Sequence, residues 1–174
     1  RCFGPAGMRG LDYSNEGVSC SDKKFNLEGV KFVAGDAENL PFGDSSIDVI
    51  VNVESSHCYA NMDEFLSEVA RVLVKGGHFL FADFRDEKDL VGLEQQLENS
   101  GLERLKKENI SKQVLKGLDE FNEEKMLRFK SVFGSWLNKP LSEFAGMKGS
   151  TMYEALKSGN TVYSRHVLKK KEKE

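Results

Sequence analysis

The sequence holds few of the residues that build a stapled or metal-bound fold. Three cysteines occur in 174 residues. They form no CxxC pair, and their odd number fits reduced thiols in a cytosol-like compartment rather than a disulfide framework. Cys58 stands beside His57, but no further cysteine or histidine lies at ligand spacing, so no metal site is expected. A basic excess is also lacking. The net charge is −3, which argues against a nucleic-acid surface. The one basic run, Lys169 to Lys171, alternates into Glu172 and Glu174 and reads as a solvated tail. No apolar run approaches the roughly 18 residues of a membrane span, and no signal peptide is visible. The chain is therefore read as cytoplasmic. It also lacks an initiating methionine: Arg1 to Gly10 reads as the end of something already under way.

What is present is ordinary for a globular domain with a real core: 39% hydrophobic and 30% charged residues. Short apolar runs alternate with helical patterns, the layout of an α/β sheet protein. Strands are expected at Gly10 to Asp12, Val30 to Ala34, Ile47 to Val53, His78 to Phe84, Leu102 to Asn109 and Thr161 to Leu168. The third, continuous and β-branched, reads as buried on both faces. Helices are expected after Ser14, over Met62 to Val74 with Asn61 or Asp63 as N-cap and Gly76-Gly77 as its end, and over Leu90 to Glu98. A further helical stretch at about 111–159 holds most of the remaining large side chains, from Phe121 and Met126 to Trp136, Met152 and Tyr153. It reads either as ordinary core or as an apolar acceptor pocket. No internal repeat appears.

Three successive strands end near a carboxylate: Asp12, Asp36 and Asp83. Ligands of open parallel sheets lie across the carboxyl ends of the strands, where such acids accept hydrogen bonds from hydroxyls or amines. Each could also be a plain turn former. The run from Phe32 to Phe42, with Gly35-Asp36-Ala37-Glu38 inside it, is followed by Asp44 to Ile50, and Arg71 to Leu80 carries Gly76-Gly77. These blocks and their spacing resemble the class I S-adenosylmethionine-dependent methyltransferases, of the type 11-like kind. Asn52 to Tyr59 and Ala82 to Arg85 are similar to the small-molecule, sugar and glycolipid O-methyltransferases. Lys75, in place of a usual proline, and Ile47, in place of a common phenylalanine, depart from that pattern at positions that touch no ligand in the family.

The resemblance implies a Rossmann-like sheet, mostly parallel with an antiparallel last strand, and a helical cap inserted before that strand. It implies S-adenosylmethionine as the methyl donor. Asp12 would bind its ribose hydroxyls and Asp36 its adenine amine, with the Ala37 backbone beside the ring. Val53 and Glu54 would line its methionine part. The family's first strand, central in the sheet, and its acid-x-glycine-x-glycine loop have no counterpart in the sequence. The single domain over 1–174 is therefore expected to be N-terminally incomplete, poorly stable and inactive as it stands, so that the function described is the parent's. His57 is the candidate base and Asp83 its partner, since adjacent parallel strands would bring the two to one edge; the sugar O-methyltransferases that this chain resembles use a histidine and an aspartate there. A histidine suits removal of a hydroxyl proton near neutral pH; as a plain loop residue His57 would only cap the next helix. The reading is methyl transfer to an oxygen of an apolar or glycosylated small molecule. The alternatives are a non-catalytic remnant or binding subunit and, further off, a nicotinamide-dependent oxidoreductase.

Overall fold

In a computed structural model, which describes residues 7–25, 27–121 and 148–172, strands and helices alternate as the apolar runs predict. β1 (Met8–Asp12) leads to α1 (Asn15–Lys24), whose first turn is capped by the Ser14 hydroxyl on the Gly17 N–H. β2 (Val30–Ala34) follows and pairs parallel with β1, Asp12 lying opposite Ala34. β3 (Ile47–Val53) leads through a short 3-10 turn at Ser56–Cys58 to α2 (Met62–Val72) and β4 (Leu73–Asp86). α3 (Leu90–Asn99), β5 (Leu102–Asn109), α4 (residues 111–121), α5 (Thr151–Ser158) and β6 (Thr161–Lys170) complete the described elements.

The four later strands form one sheet in the order β3-β4-β6-β5. β3 and β4 are parallel, and β6 runs antiparallel to both of its neighbours. β1 and β2 form a separate two-stranded sheet.

The core lies between α2, α3 and one face of the four-stranded sheet. Asn61 caps α2 by accepting the N–H groups of Asp63 and Glu64, each at 3.2 Å. Met62, Phe65, Leu66, Val69 and Val72 then recur at helical spacing on one buried face. They meet Phe79, Phe81 and Leu168 from the sheet, and Leu93 and Leu97 of α3 close the cluster. Phe65 and Phe79 meet edge to face at 5.8 Å. Full burial of each such side chain stabilises the fold by about 1.5–3 kcal/mol. No helix among the described residues is long and apolar enough to cross a membrane.

Four sequence expectations need correction. The basic run is not simply a solvated tail: Lys169 and Lys170 close β6, half-buried, and the Lys170 ammonium donates to the Leu73 carbonyl at 2.6 Å. β3 is not buried on both faces: Val49, Val51 and Val53 are 50%, 64% and 55% exposed. They alternate with Ile50 and Asn52, which turn toward α2, and no described element packs on the other face. α2 ends at Val72, not at the glycine pair, because Leu73 turns extended and pairs with Ile47. Gly76 and Gly77 serve a bulge inside β4, where the pairing jumps from Ile47 with Leu73 to Val49 with His78. Gly76 has φ +75°, and a Cβ at Gly77 would fall 3.0 Å from the Asp48 carbonyl, so both positions require glycine. Finally, β4 runs on to Asp86, which places Asp83 within the strand.

The ends of the expected helical cap are helical, at 111–121 and in α5. The Tyr153 hydroxyl joins them by donating to Asp119 at 2.8 Å. Residues 122–147, with Met126, Phe129, Phe133, Trp136, Phe144 and Met147, lie outside the described residues, as do Cys2 and the other five N-terminal positions.

Candidate active site

Parallel pairing sets Val53 opposite Ala82, and the ladder runs one step further through the Glu54 N–H to the Ala82 carbonyl. Glu54 then adopts φ +52°, the left-handed region that a non-glycine residue seldom occupies. This reversal throws the chain into the turn at Ser56–Cys58, directly over Asp83. His57 Nδ1 lies 2.9 Å from Asp83 Oδ1, and its backbone N–H donates to Oδ2 at 3.1 Å. The imidazole lies against the Phe84 ring at 4.3 Å between centroids. Phe84 in turn neighbours Tyr163 of β6 at 6.3 Å.

Asp83 is fully buried, yet it stays ionised. Burial pushes its carboxyl up, but hydrogen bonds from Ser56 and His57, the Phe84 N–H and the nearby Arg85 guanidinium outweigh that, and it titrates below the usual range. Tyr163 moves the other way: burial, then the hydrogen bond to Glu54, pushes its phenol well above the ordinary value. Glu54 thus lies toward the Tyr163 phenol at the end of β3.

The cofactor candidates sit at the carboxyl edge of β1 and β2. Asp12 Oδ1 accepts the Ser14 N–H at 2.8 Å, and Asp36 Oδ1 accepts the Glu38 N–H at 2.8 Å. In each case the second oxygen takes no hydrogen bond from a described residue, as an anchor for ribose hydroxyls or an adenine amine requires. The Gly17 backbone leaves the Asp12 carboxylate its room, since a Cβ there would lie 2.8 Å from Oδ2. A helical Gly→Ala change normally stabilises by about 1 kcal/mol. Here Gly17→Ala is expected to displace Asp12 and, if Asp12 holds the ribose as the resemblance implies, to weaken S-adenosylhomocysteine binding roughly tenfold, the loss of about one good hydrogen bond. Calorimetric titration checks this, and unchanged affinity would remove Asp12 from the site.

The structure therefore brings His57 and Asp83 together, keeps Asp12, Asp36 and Ala37 at a second strand edge, and places Val53 and Glu54 beside the dyad. Sequence reasoning missed four contributors. Glu38 accepts the backbone N–H groups of Ala60 and Asn61 at 2.7 and 3.1 Å, tying the Asp36 loop to the turn that holds His57. Arg71 gathers the same loop through Glu68, Asp44 and the carbonyls of Leu40 and Phe42. Ser56 and Arg85 complete the surroundings of Asp83. Arg85 lies two residues after Asp83 in a strand, and that same-face spacing was the available signal.

Residues 3–81 match the methyltransferase domain family. A phthiotriol/phenolphthiotriol dimycocerosates methyltransferase of Mycobacterium tuberculosis is 36% identical over 170 residues, 98% of this chain and 63% of that protein. The chain is thus similar to methyltransferases along 98% of its length, with the methyltransferase domain match over residues 3–81. A fatty-acid O-methyltransferase of Mycolicibacterium smegmatis is 42% identical over 120 residues, 69% of this chain and 44% of the relative. The chain thus spans 63% of the length of the Mycobacterium tuberculosis relative. Among solved structures, the cyclase SpnF superposes with a TM-score of 0.70 at 19% identity, covering 95% of this chain and 67% of its own. Geranyl diphosphate methyltransferase in complex with SAM does so at 0.65 and 12%, covering 95% and 69%. These likenesses establish the Rossmann-like methyltransferase fold. The cyclase among them shows that reaction type must be argued from the site and not from the fold.

Proposed function

We propose that this protein moves a methyl group from S-adenosylmethionine to an oxygen of an apolar or glycosylated small molecule. The observation that carries the reading is the His57–Asp83 pair, held at 2.9 Å beside the strand edge where the family binds its donor. The names of the relatives, dimycocerosate and fatty-acid methyltransferases, support a lipid-like acceptor. When bound, the donor supplies a methyl group on a positively charged sulfonium. Asp12 and Asp36 would hold its ribose and adenine, and the Ala37 backbone would lie beside the ring. Val53 and Glu54 would border its methionine end.

The chain's chemical task is positioning and proton removal. Asp83 holds Nδ1–H, which leaves the Nε2 lone pair of His57 to accept the acceptor's hydroxyl proton. As the oxygen–methyl bond forms and the sulfur–methyl bond breaks, that proton rests on Nε2, and buried Asp83 stabilises the imidazolium. The test is transfer of labelled methyl from S-adenosylmethionine by the full-length gene product to a long-chain phenol, a long-chain alcohol, a fatty acid and an amine. Label on the hydroxyl acceptors is expected. Label on the amine alone would overturn the choice of oxygen, and donor binding without any transfer would favour a binding subunit.

A further inference from the structure

A base that shares a hydrogen bond with a buried carboxylate faces an electrostatic difficulty. An unshielded anion within 3 Å favours the imidazolium so strongly that the ring holds its proton and no longer serves as a base. The surroundings of Asp83 contain a counterweight that the family assignment does not supply. Arg85 Nη1 lies 3.4 Å from Asp83 Oδ2, and Nη2 donates to Ser56 Oγ at 2.8 Å. Ser56 Oγ in turn lies 2.6 Å from Asp83 Oδ2. The guanidinium has no lone pair, so Ser56 must accept from it and direct its own proton onto Asp83. The sense of this relay is fixed by chemistry. Asp83 Oδ2 thereby accepts from Ser56 and from the His57 backbone N–H, while Oδ1 faces the His57 ring and accepts the Phe84 N–H.

We infer that Arg85, acting directly and through Ser56, is a positioning residue that neutralises Asp83 and so keeps His57 free to gain and lose a proton. Among the described residues, the titratable and charged groups around His57 are Asp83 and Arg85 on β4, Glu54, Cys58 and Tyr59 on the turn after β3, and Tyr163 on β6. The Tyr59 hydroxyl is bonded to Asn52 and Ser55, Glu54 lies toward Tyr163, and the Cys58 thiol is free and exposed. Arg85 is therefore the one cation in this set. Its side chain is largely buried, at 15% exposure, and that of Asp83 wholly so, so solvent screens the pair weakly. The inference rests on the proposed role of His57 for its meaning in catalysis, but its physical content stands without turnover.

The experiment is nitrogen-15 NMR of the ring of His57 in the 174-residue chain, whose three histidines are resolved by substituting the other two. Wild type is compared with Arg85→Met, Arg85→Lys and Ser56→Ala across a pH series. In Arg85→Met the ratio of imidazolium to neutral ring at a given pH should rise roughly tenfold, one unit of differential interaction. Arg85→Lys, which keeps the charge, should recover most of the wild-type ratio. Ser56→Ala should move the ratio in the same direction as Arg85→Met by a smaller factor. Identical titration of wild type and Arg85→Met, or of Arg85→Lys and Arg85→Met, would overturn the inference. If Arg85→Met does not fold, an unchanged ratio in Ser56→Ala overturns it and a raised one supports it. Turnover that survives His57→Ala would end the base assignment and leave this result untouched, so the two failures are distinct.

Discussion

Replacing His57 with alanine is expected to lower methyl transfer to a hydroxyl acceptor by about 10²–10⁴-fold, the usual worth of a positioned general base. Binding of S-adenosylhomocysteine should stay within about twofold if, as proposed, the His57 ring faces the acceptor while Asp12 and Asp36 hold the nucleoside. The expectation follows from geometry. The backbone N–H of His57 and its ring both bind one buried carboxylate, and the ring rests on Phe84, so Nε2 is the ring nitrogen with no partner among the described residues, on a side chain that stays 28% exposed. The acceptor's own chemistry sharpens the test. A hydroxyl must lose a proton as it is methylated, whereas a fatty-acid carboxylate is already ionised at neutral pH. With a carboxylate acceptor the same substitution should cost far less. Parallel measurement of the two acceptor classes therefore separates proton removal from simple loss of packing. Equal losses would mean that His57 shapes the site without acting as its base, and unchanged turnover on the hydroxyl would sink the assignment.

Much of this arrangement was readable in the sequence for physical reasons that can be named. The strands Val30 to Ala34, Ile47 to Val53 and Leu102 to Asn109 appear with the limits expected, because Gly29 and Gly35 bound the first, Ser46 and the Glu54-Ser55-Ser56 run bound the second, and Gly101 opens the third. A cap at Asn61 or Asp63 was legible because short polar side chains stand at the start of the apolar period, and the structure decides for Asn61. The meeting of His57 with Asp83 followed from the parallel pairing of adjacent strands. What could not be read was anything that depends on tertiary company. A glycine pair after an amphipathic run signals a helix end or a bulge equally well, and only the pairing of Leu73 with Ile47 decides for the bulge. The apolar alternate face of β3 looks buried until the structure shows no described element over it. Ser56 and Arg85 are unremarkable letters in sequence, and they acquire meaning only when a turn and a strand place both on one carboxylate. Glu38, similarly, lies inside a recognisable run yet reveals its role only through the two backbone donors of Ala60 and Asn61.

His166 carries the second large expectation, on stability and not on activity. It sits in β6, 1% exposed, with Nε2 at 3.1 Å from Ser164 Oγ and with no hydrogen-bond partner for the buried Nδ1 among the described residues. Phe81 lies beside the ring. Burial pushes the imidazole down to about 4; Glu94 opposes that shift, and Arg104 and Lys107 add to it. The unfolded chain binds this proton near pH 6.5, so between about pH 6.5 and 4 the unfolded state holds more protons than the native one. Stability therefore falls as pH falls through that window, and above it the group has no effect. The full difference corresponds to about 3 kcal/mol from this residue alone, a large share of a typical domain's 5–15 kcal/mol. Asp83 and Glu94, both held below their ordinary values, lose stability in the same direction as acid is added, so the wild-type curve by itself cannot isolate His166. His166→Phe can. It keeps an aromatic ring against Phe81, removes the unpartnered nitrogen, and cannot titrate. Urea unfolding of both proteins at pH 7.5, 5.5 and 4.5 should show the variant gaining on wild type by about 2.5 kcal/mol as pH falls, most of the full difference. The comparison between pH values, more than the absolute stability of the variant, is the quantity that matters, because any fixed cost of overpacking cancels from it. Parallel curves for the two proteins would show that the native state takes up the His166 proton over the same pH range as the unfolded chain, with Glu94, 3.8 Å away, offsetting the effect of burial.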